Sequence, residues 1–158
     1  MALLNGPYFV DTNVIVTGTI MRSLLPGAAT RVMDAAFDGR LGIVRTAWHC
    51  CLEFFAVTTR LPPEFRVSPS EAARIVQDDI LGKLDVRDMD PALRPTFVAE
   101  LLFQRVVGAR IYDSHIAEVA RQSRCATVIT GNGRHFGLLL RQGIRVMTVD
   151  EVALEAGL

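Results

Sequence analysis

Apolar residues along this chain alternate between short continuous runs and longer stretches with helical spacing. Tyr8-Phe9-Val10 is a β-prone run that stops at Asp11-Thr12-Asn13, and it predicts a buried strand. Between Ala28 and Asp38 the apolar positions Ala29, Val32, Met33, Ala36 and Phe37 follow the i, i+3, i+4, i+7 pattern of an amphipathic helix, which Gly39 ends. Leu41 to Arg45 predicts a second strand, and a strongly apolar helix follows from about Ala47 to Arg60. Pro62-Pro63 forces a break. Ser70 reads as an N-cap with Glu71 in the first turn, opening a helix through Leu81. Pro95 suits a first helical turn, so a helix is expected over about Pro95 to Val107. Gly108 precedes a further helix from about Asp113 to Ser123. Ala126 to Thr130 and Ile144 to Val149 are the last strands, and Asp150-Glu151 reads as the cap and first turn of a short terminal helix. Strands separated by helical stretches predict an α/β sandwich with a mainly parallel sheet. In such sheets ligands sit beyond the carboxyl ends of the strands.

Composition narrows the class. A chain of 158 residues reads as one domain spanning 1–158, long enough to bury roughly two-thirds of its unfolded surface. Half of the residues are apolar, which argues for a packed core and against disorder. No apolar run approaches the ~18 positions of a membrane span. Met1-Ala2-Leu3-Leu4 is cut short by Asn5-Gly6-Pro7 without preceding basic residues, a poor signal peptide. Three cysteines are an odd number, and Cys50 and Cys51 are adjacent, so reduced thiols in a cytoplasmic protein are expected. The 17 basic and 17 acidic residues balance, and net charge does not point to a nucleic-acid partner. The basic set is nearly all arginine, with Lys83 the only lysine. Arginine suits bidentate phosphate recognition, and a composition bias of the source genome accounts for it equally well.

Candidate chemistry rests on carboxylates at positions where a core wants apolar groups. Asp11 stands at the carboxyl end of the first strand, either as a turn or cap residue or as part of a site. Glu53 lies in Trp48-His49-Cys50-Cys51-Leu52-Glu53-Phe54-Phe55-Ala56-Val57, a helix apolar nearly all round and expected to be buried on most sides. A charge there needs a partner or a metal, and His49 (i−4) and Arg60 (i+7) share its stripe as salt-bridge candidates. Asp113 falls on the stripe of Ile116, Ala117 and Ala120, while Ser114, His115, Glu118 and Arg121 are expected to point outward. An N-cap role for Asp113 competes with a functional one. Three carboxylates brought close repel unless protons or cations intervene. Oxygen donors of this kind suit Mg²⁺ or Mn²⁺, which activate water and neutralise phosphate charge.

The ordered set Val10-Asp11-Thr12-Asn13-Val14-Ile15, Glu53 after the second strand, Tyr112-Asp113-Ser114-His115-Ile116-Ala117 and Val128-Ile129-Thr130-Gly131-Asn132-Gly133-Arg134-His135-Phe136 resembles PIN-domain nucleases. The match covers nearly the whole chain in order and spacing, and it looks closest to the VapC-like ribonuclease toxins of toxin–antitoxin pairs. The resemblance implies a three-layer α/β/α fold and Mg²⁺- or Mn²⁺-dependent cleavage of RNA. It implies Asp11 and Asp113 as principal metal ligands, with Glu53 completing the acidic cluster. It also implies a homodimer and a small antitoxin protein as partner.

The fourth family position, often an aspartate, is Asn132 in this chain. Its amide oxygen can orient a metal-bound water but carries no charge, so Asn132 is kept as a catalytic candidate with weaker metal binding. That substitution sustains a rival reading, a catalytically weak PIN module that binds RNA or a protein partner. Thr12, Asn13 and Thr130 could bind water or phosphate near the cluster but are read rather as turn or cap residues, and Arg134 and His135 as a solvated loop that could meet an RNA backbone. His49, Cys50, Cys51 and Cys125 lack the ligand spacing of a zinc site. Phosphotransfer of the haloacid-dehalogenase kind would require an acidic residue at Asn13 and is set aside.

Overall fold

A computed structural model describes residues 6–22 and 26–158. Its sheet contains β1 (Tyr8–Val10), β2 (Val44–Ala47), β3 (Asp85–Arg87), β4 (Thr127–Ile129) and β5 (Arg145–Met147) in the order β3-β2-β1-β4-β5. Every neighbouring pair is parallel. All residues of β1 and β4 are buried, because helices cover both faces of the sheet and leave no solvent side for polar alternation. The expected three-layer α/β/α sandwich is therefore the observed one. The chain runs outward from β1 through β2 to β3, then returns to place β4 on the other side of β1. That reversal is a topological switch point, where a crevice opens past the strand ends.

The helices are α1 (Thr12–Thr19), α2 (Ala28–Phe37), α3 (Trp48–Thr58), α4 (Pro69–Arg74), α5 (Leu81–Lys83), α6 (Arg94–Phe103), α7 (Arg110–Gln122), α8 (Gly137–Arg141) and α9 (Val149–Ala156). A π-helical stretch, Ile75–Ile80, joins α4 to α5, and 3₁₀ turns occupy Pro91–Leu93 and Gly133–Phe136. Helix α1 packs against α2 and α3, α2 against α9, α7 against β2, and α8 against β5. The contact between α1 and α2 is close at Gly18, where an added Cβ would lie 2.6 Å from the Ala29 carbonyl oxygen and 2.8 Å from Met33 Cβ.

Several expectations shift when the chain folds. The second strand is Val44–Ala47 rather than Leu41–Arg45, because Gly42 turns the backbone at φ +72° and leaves Leu41 buried ahead of the strand. Ser68, not Ser70, caps α4: its hydroxyl accepts from Glu71 N at 3.2 Å and Pro69 takes the first helical position. Helix α7 opens three residues before Asp113, so Asp113 lies in the first turn and is not an N-cap. Thr148 rather than Asp150 caps α9, in a reciprocal box with Glu151. The helix expected over Pro95–Val107 ends at Phe103, with Arg105 at φ 54°.

Three elements carried no readable pattern. Helix α1 begins with polar residues and continues through β-branched Val14, Ile15 and Val16, which favour strands by propensity. Burial of all three against neighbouring helices overrides that preference. The edge strand β3 is mostly charged, held to β2 as Arg45 Nε donates to Asp85 Oδ2 at 3.0 Å and braced by Arg87 at 2.7 Å. These guanidiniums hold the Asp85 carboxyl below its ordinary range, Arg87 contributing most. Helix α8 is five residues long, too short to show a period. The reading of Met1–Pro7 as a poor leader falls on residues of which all before Gly6 lie outside the described ones.

Candidate active site

Asp11 leaves β1 at its carboxyl end and serves as N-cap of α1, its Oδ1 accepting from Thr12 N at 2.7 Å. Its other oxygen, Oδ2, accepts from Thr130 Oγ1 at 2.8 Å and from Asn13 Nδ2 at 3.0 Å. The two readings of Asp11 are thus compatible: one oxygen caps the helix, while the carboxylate sits at the switch point between β1 and β4. Only 5% of Asp11 is exposed. Burial pushes its carboxyl above the ordinary range, the Thr130 and Thr12 bonds oppose this, and the charges of Glu53 and Asp113 push it further up.

Glu53 is half-buried on α3, and its Oε2 accepts a short hydrogen bond from the Thr12 hydroxyl. Neither His49 nor Arg60 neutralises it: Arg60 Nε donates instead to the Ala56 carbonyl at 3.0 Å, and His49 stacks on Tyr112 with ring centroids 5.2 Å apart. The helix is less enclosed than its composition suggests. Cys50, Cys51, Phe54 and Thr58 are buried, while Trp48, Leu52 and Phe55 are exposed. Beside Asp11, the Cys50 thiol is pushed up to about 12 by burial and then by the aspartate's charge, so it remains a neutral packing group. Cys51 and Cys125 are likewise buried and free.

Asp113 is turned toward His135, whose Nδ1 lies 2.7 Å from Asp113 Oδ2. Asn132 approaches through its backbone, Asn132 N donating to Thr130 Oγ1 at 3.0 Å. The side-chain Oδ1 of Asn13 accepts from Gly131 N at 3.0 Å and closes the loop after β4 onto α1. Thr12, Asn13 and Thr130, read from sequence as turn or cap residues, therefore hold the carboxylates Asp11 and Glu53 in place. A hydroxyl or amide every few positions is common in loops, so their number alone could not identify them. Three of their hydrogen bonds reach across 41, 118 and 119 positions of sequence.

A ring assembly also escaped the sequence reading. His115, expected to point outward, packs at the edge of His49 with centroids 5.6 Å apart and at the edge of Phe97 with centroids 6.0 Å apart. Burial, then the charge of His49, pushes its imidazole pKa down, and its Nδ1 is enclosed without a hydrogen-bond partner. Together these rings tie α3 to α7 and fix the spacing of the helices that carry Glu53 and Asp113.

Burial is the first cause of the raised Asp11 pKa, and Glu53 and Asp113 stand near enough for their charges to push it further up. Among the described residues, however, no three His, Cys, Asp or Glu side chains stand close enough to hold a metal ion as placed. Mutual repulsion keeps uncompensated carboxylates apart, and Asp113 is drawn to His135 instead. Hard oxygen donors with unneutralised charge still match the chemistry that Mg²⁺ or Mn²⁺ requires.

Comparison with known proteins identifies the family. The PIN domain family model matches residues 7–134. The chain belongs to the PIN domain family. It is similar to ribonuclease VapC27 of Mycobacterium tuberculosis, with 25% identity over 91% of this chain and 98% of that protein. Among solved structures, FitAB bound to the IR36 DNA fragment shares the fold at a TM-score of 0.57 and 17% identity, covering 90% of this chain and 94% of the other. FitAcB from Neisseria gonorrhoeae matches at a TM-score of 0.55 and 18% identity, covering 90% and 97%. This PIN-domain assignment bears out the family resemblance read from the motifs. Beyond the α/β/α fold, the structural matches establish nothing about activity.

Proposed function

We propose that this PIN-domain protein is a divalent-metal-dependent endoribonuclease and acts as the toxin of a toxin–antitoxin pair. The observation that carries this reading is Asp11, buried at the switch point with its pKa raised in part by the charges of Glu53 and Asp113. A cluster of that sign is costly in a free protein and useful where a cation and a phosphodiester meet. Similarity to ribonuclease VapC27 supports RNA as substrate.

Asp11, Asp113 and Glu53 would hold a Mg²⁺ or Mn²⁺ ion, which when bound lowers the pKa of water and neutralises phosphate charge. The chain's own work is orientation. Thr130, Asn13 and the Thr12 amide fix the Asp11 carboxylate, the Thr12 hydroxyl fixes Glu53, and the Asn132 amide supplies an uncharged acceptor for the attacking water. The nearby Cys50 thiol is held neutral, in keeping with direct attack by water and no covalent intermediate.

A small antitoxin and a second copy of the chain are the proposed protein partners. Helix α6 supports them, since none of its residues is buried and its segment exposes Val98, Leu102 and Phe103. A cytoplasmic location belongs to the same proposal, and among the described residues no helix is long and apolar enough to cross a membrane.

Cleavage of a mixed RNA pool tests the reading, run with Mn²⁺, with EDTA and with the Asp11→Asn variant. Products are expected only for the native chain with Mn²⁺, and equal cleavage in all three would overturn the proposal. The second reading, a PIN module that binds RNA or protein without cutting, is favoured by Asn132 and by carboxylates that stand apart. It predicts RNA retention without products in every arm.

A further inference from the structure

A groove of about 670 Å³ opens beside Asp113, walled by the start of α7, the end of α6 and the turn leading into α8. Arg110, Arg134 and Arg141 line it. All three are exposed, and none makes a hydrogen bond or ion pair among the described residues. Elsewhere the arginines divide: Arg45, Arg74, Arg87, Arg121 and Arg145 each hold a carboxylate, and Arg60 and Arg66 each bond a backbone carbonyl. Arg31, Arg94, Arg105 and Arg124 form no ion pair among the described residues, so the groove is distinguished by gathering three unpaired guanidiniums in one place. Its carboxylates, Glu100 and Asp113, are fewer than its arginines, and both are already engaged, by Gln104 and by His135. In a chain of zero formal charge, this leaves a local excess of cationic groups that the fold has not used.

We propose that this groove holds the phosphodiester backbone of the RNA strand on one side of the acidic cluster, with Arg110, Arg134 and Arg141 as phosphate contacts. Guanidinium forks match phosphate oxygens in pairs. Arg110 and Asp113 are three residues apart on α7 and share one helix face, so a phosphate on Arg110 neighbours the one presented to the carboxylates. Arg134 follows Asn132 in the 3₁₀ turn and continues the path. The contacts read charge, not sequence, and therefore position any single strand. The inference rests on the nuclease reading for its substrate, while the groove itself is tested without catalysis.

Binding of a fluorescein-labelled 20-nucleotide single-stranded RNA would be measured by anisotropy in EDTA across a salt series. Each single-strand phosphate contact contributes about 0.7 to the slope of log K against log salt. Replacing Arg110, Arg134 and Arg141 with Gln is expected to lower that slope by about 2. Replacing Arg31, Arg40 and Arg74 removes equal charge from other faces and is expected to leave it unchanged. Equal slopes in the two triple variants would overturn the groove. Should the groove variant fail to fold, Arg134→Gln and Arg141→Gln alone are each expected to lower the slope by about 0.7, and no change in either overturns the proposal. Cleavage by the native chain with Mn²⁺ is followed in parallel: a slope that falls without any cleavage retains the groove and rejects the nuclease.

Discussion

Thr130 Oγ1 donates to Asp11 Oδ2 at 2.8 Å, joining the ends of the two central strands through the most buried carboxylate of the site. That bond favours the ionised form, while burial and the neighbouring charges oppose it. The net pKa is raised from the ordinary 3.8, so the unfolded chain releases this proton at lower pH than the folded one. Stability contributed by Asp11 is accordingly highest below its ordinary pKa and is lost as pH rises through the raised value. Glu71, Asp85 and Glu118 are shifted the other way, so the Asp11 contribution is best read as a difference. Thr130→Val removes the donor and raises the Asp11 pKa further. In EDTA its stability deficit relative to the native chain is expected to widen from pH 4 toward neutrality, as urea unfolding would measure. A deficit independent of pH would show that the Thr130 bond does not act through Asp11.

Glu53 is held by the hydroxyl of Thr12, whose backbone amide holds Asp11. A glutamine at position 53 keeps an oxygen to accept from Thr12 and loses only the charge. Glu53→Gln is therefore expected to melt within a few degrees of the native protein. Its Mn²⁺-stimulated RNA cleavage should fall by about 10–100-fold, the range for losing a group that orients a metal site. Wild-type turnover in a folded Glu53→Gln chain would remove Glu53 from the site.

The parts legible in sequence were those whose physics is local. Tyr8-Phe9-Val10 and Thr127–Ile129 were readable as strands because continuous apolar runs bury both sheet faces, and α2 because its stripe is regular. Helix α1 was not, since Val14, Ile15 and Val16 favour strands in isolation and become helical only through contacts from α2 and α3. At the site, the carboxylates drew attention as charges amid apolar neighbours. Thr12, Thr130 and His135 did not, because nothing in their flanks announces a partner far along the chain. Glu53 was given its natural counterions by helical spacing, yet the stacking of His49 on Tyr112, a contact between helices, takes one of them away.

Gly18 marks a close approach between α1 and α2. An alanine methyl group there would press on the Ala29 carbonyl oxygen at 2.6 Å, a backbone atom that cannot rotate aside, as well as on Met33. Ordinarily Gly→Ala within a helix gains about 0.5–1 kcal/mol. Overpacking at this contact costs about 1–3 kcal/mol and should prevail. Urea denaturation of Gly18→Ala is expected to show a lower midpoint with an unchanged m-value. A stabilised variant would mean that α1 and α2 can separate without loss.

His135 Nδ1 lies 2.7 Å from Asp113 Oδ2, so His135 would compete with a cation held through that oxygen. Both side chains are 30% exposed, so solvent screens the pair, and such pairs are worth about 0.2–1 kcal/mol. Binding of Mn²⁺ through Asp113 must give up that interaction. His135→Ala removes the competitor without touching a proposed ligand, and the Mn²⁺ dissociation constant is expected to fall by about 1.4- to 5-fold. Isothermal titration calorimetry on RNA-free protein measures this directly. Asp11→Asn in the same background should abolish the heat, which separates binding at the cluster from binding elsewhere. If His135→Ala bound Mn²⁺ more weakly than the native chain, His135 would be positioning Asp113 for the metal instead of withholding it, and the competition would be excluded.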